Sequence, residues 1–128
     1  MQLLLDTHTL LWFCLNDSQL SRAAGEVMAD DENELFVSPA SFWELAIKIS
    51  QRKYSLPKPL DKFLNTMLDE QDFNLLPISV AHVANVSSMP FHHKDPFDRM
   101  LVAQSLVEGW PIVSKDDMLD VYGVNRIW

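Results

Sequence analysis

Residues 35–50 read LFVSPASFWELAIKIS and join a short strand directly to a helix. Residues 35–37 form an apolar run of strand length. Ser38 can cap a helix with its side-chain oxygen, and Pro39 suits the first helical position because that position needs no N–H donor. The apolar residues that follow recur at helical spacing and predict one buried stripe: Phe42, Leu45, Ala46 and Ile49. This stretch therefore predicts one strand–helix unit that ends at about Ser50.

The same alternation of strands and helices continues on both sides of this unit. Apolar runs predict strands over residues 2–5, 35–37, 75–78, 112–113 and 124–127. Helical patterns cover residues 7–15, 21–29, 38–50, 60–68, 80–86 and 95–108. Pro77 weakens the third strand because proline cannot donate to a neighbouring strand. Strands that alternate with helices need crossover connections, so the pattern predicts an α/β fold with a mostly parallel sheet and helices on both faces.

Length and composition set the class of protein. The chain has 128 residues, of which 48% are hydrophobic, and this predicts a single domain over residues 1–128 with a real core. The lone cysteine excludes an intrachain disulfide and favours a reducing cytosol. We find no basic leader with an unbroken apolar run and no apolar stretch near the ~20 residues of a membrane span. We therefore expect a cytoplasmic protein without membrane contact.

The charge balance is acidic. Asp and Glu number 18 and Lys and Arg number 10, which gives a formal net charge of −8. This balance argues against a protein that coats nucleic acid by bulk positive charge. It does not exclude a nucleic-acid enzyme whose carboxylates hold metal ions.

Four carboxylates are predicted to meet at one edge of the sheet. Asp6 ends the first strand, and Glu44 lies in the second turn of the helix after the second strand. Asp98 lies in the first turn of the helix that begins after Asp95, and Asp116 follows the fourth strand. Ligands of open parallel sheets bind beyond the carboxyl ends of the strands, and clustered carboxylates repel one another unless they are protonated or metal-bound. The set therefore predicts a site for Mg²⁺ or Mn²⁺, which favour oxygen ligands and can assist phosphate chemistry.

Zinc is not predicted. Cys14 is alone and lies in an apolar helix, and the pair His92–His93 has neither a cysteine pair nor an HExxH pattern beside it. We interpret both histidines as residues of a solvated loop, with contact to a phosphate as the alternative.

Four segments resemble the PIN-domain ribonucleases, and most closely the VapC-type toxins of bacterial toxin–antitoxin systems. The segments are LLLDTHTLLW, SPASFWELAIK, HHKDPFDRMLVAQSL, and IVSKDD followed by YGV. They cover nearly the whole chain in the family's order, and DPFDRMLVAQ is the most specific of them. The resemblance implies a three-layer α/β/α fold with a parallel sheet, and cleavage of RNA that depends on Mg²⁺ or Mn²⁺. It also implies the toxin role in a type II toxin–antitoxin system, inhibition by a small cognate antitoxin, and a homodimer.

The resemblance also carries site residues. The family's four acids match Asp6, Glu44, Asp98 and Asp116 as catalytic and metal-binding residues, and hydroxyl positions near the family's site match Thr7 and Ser114 as supporting residues.

Two acids adjacent to this set have an alternative role. Asp95 precedes Pro96 and is best placed to cap the helix, so Asp98 is preferred as the acid that faces the metal. Asp117 follows Asp116, and its role is to cap a short following turn, or else it joins the metal site.

The basic residues concentrate in one segment, which holds Lys48, Arg52, Lys53, Lys58 and Lys62. One interpretation is a patch that steers RNA to the metal site, with Lys48, Arg52 and Lys53 as RNA contacts. The other is an ordinary solvated helix end, where cations complement the helix dipole. Under that interpretation Lys48 pairs with Glu44, four residues earlier.

Two other functions compete with the ribonuclease. A receiver-like signalling domain is also an acidic α/β domain that binds Mg²⁺, but it requires paired acids after the first strand and an acceptor aspartate after the third. Here the first strand ends in Asp6–Thr7–His8 and the third predicted strand ends in Ile78–Ser79. A binding module that kept the fold and lost catalysis is the second rival, and the complete set of four acids argues against it.

Overall fold

Strands and helices alternate along the computed structural model, which describes every residue from Met1 to Trp128. The strands are β1 (Gln2–Leu5), β2 (Glu34–Val37), β3 (Asn74–Leu75), β4 (Ile112–Val113) and β5 (Arg126–Ile127). The helices are α1 (Thr7–Cys14), α2 (Arg22–Ala29), α3 (Pro39–Ser50), α4 (Leu60–Glu70), α5 (Val80–Ser88) and α6 (Pro96–Glu108). A 3₁₀ helix spans Asp117–Tyr122 between β4 and β5.

β1 is the central strand of a five-stranded sheet with the order β3-β2-β1-β4-β5. Every neighbouring pair is parallel, with Leu3 opposite Leu35 and Leu5 opposite Val113. The predicted α/β class is confirmed, and the sheet is wholly parallel. The carboxyl ends of all five strands therefore lie at one edge of the sheet.

Helices cover both faces of this sheet, and Leu3, Leu4 and Leu5 of β1 are consequently fully buried. Successive residues of a strand point to opposite faces. Leu3 and Leu5 belong to the larger core, to which helices α1 to α4 contribute Leu10, Leu11, Ala24, Met28, Leu45, Phe63 and Met67. Leu4 belongs to the smaller core, which it shares with Leu101 and Val102 of α6. This three-layer arrangement is the one that the family resemblance implies.

The two helices that begin with proline start where the sequence predicts. The Ser38 hydroxyl accepts a hydrogen bond from the Ala40 N–H at 3.1 Å, and Pro39 is the first residue of α3. Asp95 caps α6 in the same way. Its Oδ1 accepts hydrogen bonds from the N–H groups of Phe97 and Asp98 at 2.8 and 3.1 Å, which confirms the capping role predicted for Asp95.

The structure corrects several predicted boundaries. Strand β3 covers Asn74–Leu75 instead of residues 75–78, and the ladder ends one residue later with the bond from the Leu76 N–H to the Val37 carbonyl at 2.8 Å. Pro77 stops the strand because it has no N–H to donate. Strand β5 is confined to Arg126–Ile127, and α4 continues to Glu70. None of the helices combines the length and the apolar character that crossing a membrane requires.

Candidate metal centre

All four predicted acids line one cavity at the carboxyl edge of the sheet. The cavity has a volume of about 170 Å³, and none of its lining residues is hydrophobic. Its eight lining residues are Asp6, Thr7, His8, Glu44, Lys48, Asp95, Asp98 and Asp116. They follow the ends of β1 and β4 or lie in the first turn of α1, in the second and third turns of α3, and at the start of α6. The wholly parallel sheet thus brings together residues that are distant in the sequence.

Asp6 is held at both carboxylate oxygens. It caps α1, because its Oδ1 accepts a hydrogen bond from the Thr9 N–H at 2.8 Å. Its Oδ2 accepts a hydrogen bond from the hydroxyl of the fully buried Ser114. The Ser114 oxygen in turn accepts from the Asp116 N–H at 3.1 Å. Ser114 therefore positions two of the four acids, and it does so from the end of β4.

The other predicted hydroxyl has a different role in the structure. Thr7 donates a hydrogen bond to the Ser41 oxygen at 2.9 Å, and both residues are buried. This bond joins the first turns of α1 and α3 beside the cavity. Ser41 has no signal in the sequence that marks it as part of the site, because its role depends on the packing of two helices.

Glu44 lies inside the site and is only 7% exposed. Its Oε2 is 2.9 Å from Nζ of Lys48, one helical turn later. The predicted pair between residues i and i+4 is therefore present, but it lies in the cavity and not on a solvated helix face. Lys48 supplies the one ammonium group among the residues that line the cavity.

The surroundings of Asp98 disfavour its carboxylate form. Burial and the negative charges of Asp95, Glu44, Asp116 and Asp6, in that order, raise the pKa of Asp98 to about 7. Desolvation and like charges both disfavour the carboxylate form. A divalent cation in the cavity would offset the repulsion between these carboxylates and favour the charged form of Asp98.

Asp116 caps the 3₁₀ helix, a role that the sequence analysis gave to Asp117. The Met118 N–H donates to Oδ1 of Asp116 at 3.0 Å. Asp117 is exposed and does not line the cavity. The capping bond occupies Oδ1 of Asp116, while its Oδ2 lies on the side of His93.

His93 lies beside the acids Asp98 and Asp116, but it is not among the residues that line the cavity. Its Nε2 lies 3.7 Å from Oδ2 of Asp116, and its side chain is only 12% exposed. Donor atoms of His93, Asp98 and Asp116 all lie within 4.8 Å of one another. Both histidines lie in the predicted loop, but the side chain of His93 is mostly covered, whereas His92 is exposed as predicted. The ring of His93 is covered by Tyr122, at 5.4 Å between ring centroids.

The structure separates the three predicted RNA-contact residues. Lys48 lines the acidic cavity, whereas Arg52 and Lys53 line a different groove of about 860 Å³ together with Lys58. Helix α3 rises about 1.5 Å per residue, so Lys48 is only one turn from Glu44 and stays beside the cavity. Arg52 and Lys53 follow the end of the helix. RNA contact by Arg52 and Lys53 stays a prediction, and these two residues do not line the acidic cavity.

The donor set fits a divalent cation that prefers oxygen. Five of the eight lining residues are carboxylates, and no cysteine is among them. Mg²⁺ and Mn²⁺ are the ions that such a set suits. Cys14 instead packs against the larger core, and burial raises the pKa of its thiol to about 11.

The sequence of this chain matches that of known proteins over most of its length. The model of the PIN domain family matches residues 3–125. Ribonuclease VapC22 of Mycobacterium tuberculosis (strain ATCC 25618 / H37Rv) is 31% identical over 118 residues, which are 91% of this chain and 88% of that protein.

Solved structures share the fold at low sequence identity. VapBC2 from Rickettsia felis, bound to a DNA fragment from their promoter, superposes with a TM-score of 0.72 at 12% identity, over 98% of this chain and 97% of that chain. FitAcB from Neisseria gonorrhoeae gives a TM-score of 0.66 at 14% identity, over 97% of this chain and 95% of that chain. The family model and the M. tuberculosis relative both span nearly the whole chain, and the parallel fold agrees with them: this chain belongs to the PIN-domain family.

Proposed function

We propose that this PIN-domain protein is the toxin of a type II toxin–antitoxin system, a VapC-type endoribonuclease that cleaves cellular RNA with Mg²⁺ or Mn²⁺. The observation that carries the proposal is the polar cavity at the carboxyl edge of the sheet, where Asp6, Glu44, Asp98 and Asp116 meet. The name of the M. tuberculosis relative, a ribonuclease, supports the reaction class.

The four acids are the residues that would hold the cation. A bound divalent cation supplies a nucleophile at neutral pH and offsets negative charge on a phosphodiester as it is cleaved. The raised pKa of Asp98 shows that its surroundings disfavour the carboxylate form. A cation binds that same form, so ion binding would offset this cost.

The protein fixes its ligand atoms before any ligand arrives. Asp6 and Asp116 each use one oxygen to cap a helix, and Ser114 joins the second oxygen of Asp6 to the backbone of Asp116. A carboxylate oxygen has a second lone pair, so these hydrogen bonds leave room for a cation. Such prior fixing of charged groups lowers the reorganisation that a reaction requires.

Lys48 is the residue we assign to the RNA phosphate. Its ammonium is 2.9 Å from Glu44 and lies in the cavity. A cation that binds Glu44 would leave this ammonium free to donate to a phosphate oxygen. Phosphate contacts of this kind position a nucleic acid without reading its sequence.

We propose a small cognate antitoxin and a second copy of the chain as protein partners, and the cytoplasm as the location. The antitoxin is supported by the resemblance to VapC-type toxins and by the fold shared with VapBC2. The homodimer is supported by large apolar side chains left exposed in the single chain, among them Trp43 at 64% and Phe91 at 72%. The lone cysteine is consistent with a reducing compartment.

The receiver-like alternative finds no support in the structure. Strand β3 is followed by Leu76 and Pro77, so no acceptor aspartate stands at its carboxyl end. A measurement of RNA cleavage distinguishes the ribonuclease from a catalytically inactive binding module.

The test is cleavage of total RNA by protein prepared without antitoxin, because a bound antitoxin would mask the site. We expect cleavage with Mg²⁺ or Mn²⁺, none with a chelator, and a loss of at least about 100-fold in Asp6→Asn, since one charge of the cation site is gone. Asparagine retains a capping oxygen, so helix α1 stays intact. Asp117→Asn is the matched control and should cleave like the wild type. Cleavage that persists in chelator, or wild-type rates in Asp6→Asn, would overturn the proposal.

A further inference from the structure

We infer that His93 supplies a nitrogen ligand to the cation of this site, beside Asp98 and Asp116, and that the site therefore favours first-row transition ions over Mg²⁺. The inference rests on the proposed function, because it takes the acidic cavity to be a metal site. His93 is neither one of the four acids nor one of the two hydroxyl residues, Thr7 and Ser114, that the family resemblance assigns to the site.

The spacing of the donor atoms supports a shared ion. Nε2 of His93 and Oδ2 of Asp116 are 3.7 Å apart, which is too long for a hydrogen bond. Two ligands that each lie about 2.1 Å from one ion are separated by about 3.0 to 4.2 Å, depending on the angle at the ion. Donor atoms of His93, Asp98 and Asp116 lie within 4.8 Å of one another, so small side-chain rotations suffice to close a common site.

The ring of His93 makes no hydrogen bond that would compete with a cation at Nε2. Nε2 makes only the long approach to Asp116, and packing against Tyr122 holds the ring in this position without satisfying either nitrogen. Nε2 is therefore free to accept a cation. Nδ1 is buried without a hydrogen-bond partner and stays so when the cation binds.

The other histidines do not share these features. The chain has four histidines in all. His92 is exposed, and His8 lines the cavity but is also exposed. His82 is fully buried away from the site, where Nδ1 accepts from the Ser79 N–H and Nε2 pairs with Glu108 at 2.9 Å.

An imidazole ligand changes which ion the site prefers. Mg²⁺ is bound through oxygen and keeps several waters, whereas imidazole nitrogen suits the later first-row ions. Among the divalent first-row ions, Mn²⁺ generally binds most weakly to a given site. If His93 contributes to the affinity for Mn²⁺, it should therefore contribute more to the affinity for the later ions. Mn²⁺ is also paramagnetic, and coupling of its electron spin to ¹⁴N reports a bound histidine directly.

The experiment is pulsed electron paramagnetic resonance of the full, antitoxin-free chain with Mn²⁺ alone. We expect ¹⁴N coupling in the wild type, its replacement by ¹⁵N coupling when histidine is ¹⁵N-labelled, and its loss in His93→Gln. The Kd for Mn²⁺ should rise about tenfold or more in His93→Gln, and the Kd for Mg²⁺ should rise less.

His92→Gln is the matched control and should keep the coupling, because His92 is exposed and does not line the cavity. His8→Gln tests the other histidine at the cavity. Coupling that survives in both His8→Gln and His92→Gln assigns the signal to His93 even if His93→Gln does not fold. Coupling that survives in His93→Gln, or disappears in His8→Gln or in His92→Gln, would overturn the inference. Wild-type protein that binds Mn²⁺ and cleaves RNA without ¹⁴N coupling would overturn the inference and leave the proposed function standing. A wild type that binds no Mn²⁺ would overturn both.

Discussion

The hydroxyl of Ser114 donates a hydrogen bond to Oδ2 of Asp6, and this bond joins residues that are 108 positions apart in the sequence. It connects the carboxyl ends of the adjacent strands β1 and β4. The same oxygen accepts the Asp116 N–H, so one buried hydroxyl sets the relative position of two acids of the candidate metal centre.

Ser114→Ala should therefore weaken the site more than the fold. The variant loses both hydrogen bonds of this hydroxyl, and each buried hydrogen bond is worth about 1 kcal/mol of unfolding free energy. The loss of a residue that orients metal ligands typically lowers metal affinity or activity by about 10- to 100-fold, and we expect a drop of that size in RNA cleavage. Urea unfolding and single-turnover cleavage measure the two effects.

Ser105→Ala is the matched control for this prediction. Ser105 is also buried and donates to the Trp110 carbonyl at 2.7 Å, but it does not line the acidic cavity. It loses one hydrogen bond instead of two, so it should show about half the loss of stability, with unchanged cleavage. An equal loss of cleavage in both variants would show that Ser114 acts through stability alone.

Asp98→Asn should stabilise the metal-free protein, and more so at higher pH. The pKa of Asp98 is raised to about 7, while an unfolded aspartate ionises near 4. Between these values the folded protein holds a proton that the unfolded chain has lost, so wild-type stability falls as pH rises. Asparagine does not titrate. The stability advantage of the variant in chelator should therefore widen by roughly 1–2 kcal/mol between about pH 5 and pH 8, after allowance for solvent screening.

Added Mn²⁺ should reverse this advantage at pH 8, because the cation binds the wild-type carboxylate and stabilises the folded state by mass action. The measurement is urea unfolding at both pH values with and without the ion. If the stability difference between Asp98→Asn and the wild type did not change with pH, a raised pKa for Asp98 would be contradicted.

Lys48→Met should bind cations more tightly and cleave RNA more slowly. The Lys48 ammonium competes with a cation for Glu44, from which it is 2.9 Å away. Removal of one positive charge at this range should increase Mn²⁺ affinity about fivefold. Cleavage should fall about tenfold if the ammonium also holds a phosphate.

Lys53→Met is the control for the Lys48 variant, since Lys53 lies in the separate groove beyond α3. It should leave Mn²⁺ affinity at the wild-type value. If Lys48→Met weakened Mn²⁺ binding, the position of Lys48 as a competitor inside the metal site would be contradicted.

Local chemistry explains why most of the fold could be predicted from the sequence. Ser38 before Pro39 and Asp95 before Pro96 determine two helix starts through a cap and a fixed φ, and both interactions lie within a few residues. The acids at the strand ends follow from the parallel sheet, because its carboxyl ends share one edge. Asp6 and Asp98 were thus predicted from position and resemblance together.

The residues that the sequence analysis misplaced depend on contacts across the fold. The side chain of His93 is mostly covered because Tyr122, almost thirty residues later, packs on its ring. No periodicity in a short loop carries that information. Arg52 and Lys53 are near Lys48 in sequence, but the end of α3 directs them to another groove. The early end of β3 is different, because a nearby residue, Pro77, already indicates it in the sequence.

Mn²⁺ binding to the wild type and to four single-charge variants is the most direct test of the central claim that four acids form one metal site for RNA cleavage. The variants are Asp6→Asn, Glu44→Gln, Asp98→Asn and Asp116→Asn, with Asp117→Asn as the control. We expect each of the four to lower Mn²⁺ affinity by about tenfold or more and to lower RNA cleavage in parallel, whereas Asp117→Asn should change neither. Wild-type Mn²⁺ affinity in Asp6→Asn or in Glu44→Gln would contradict it.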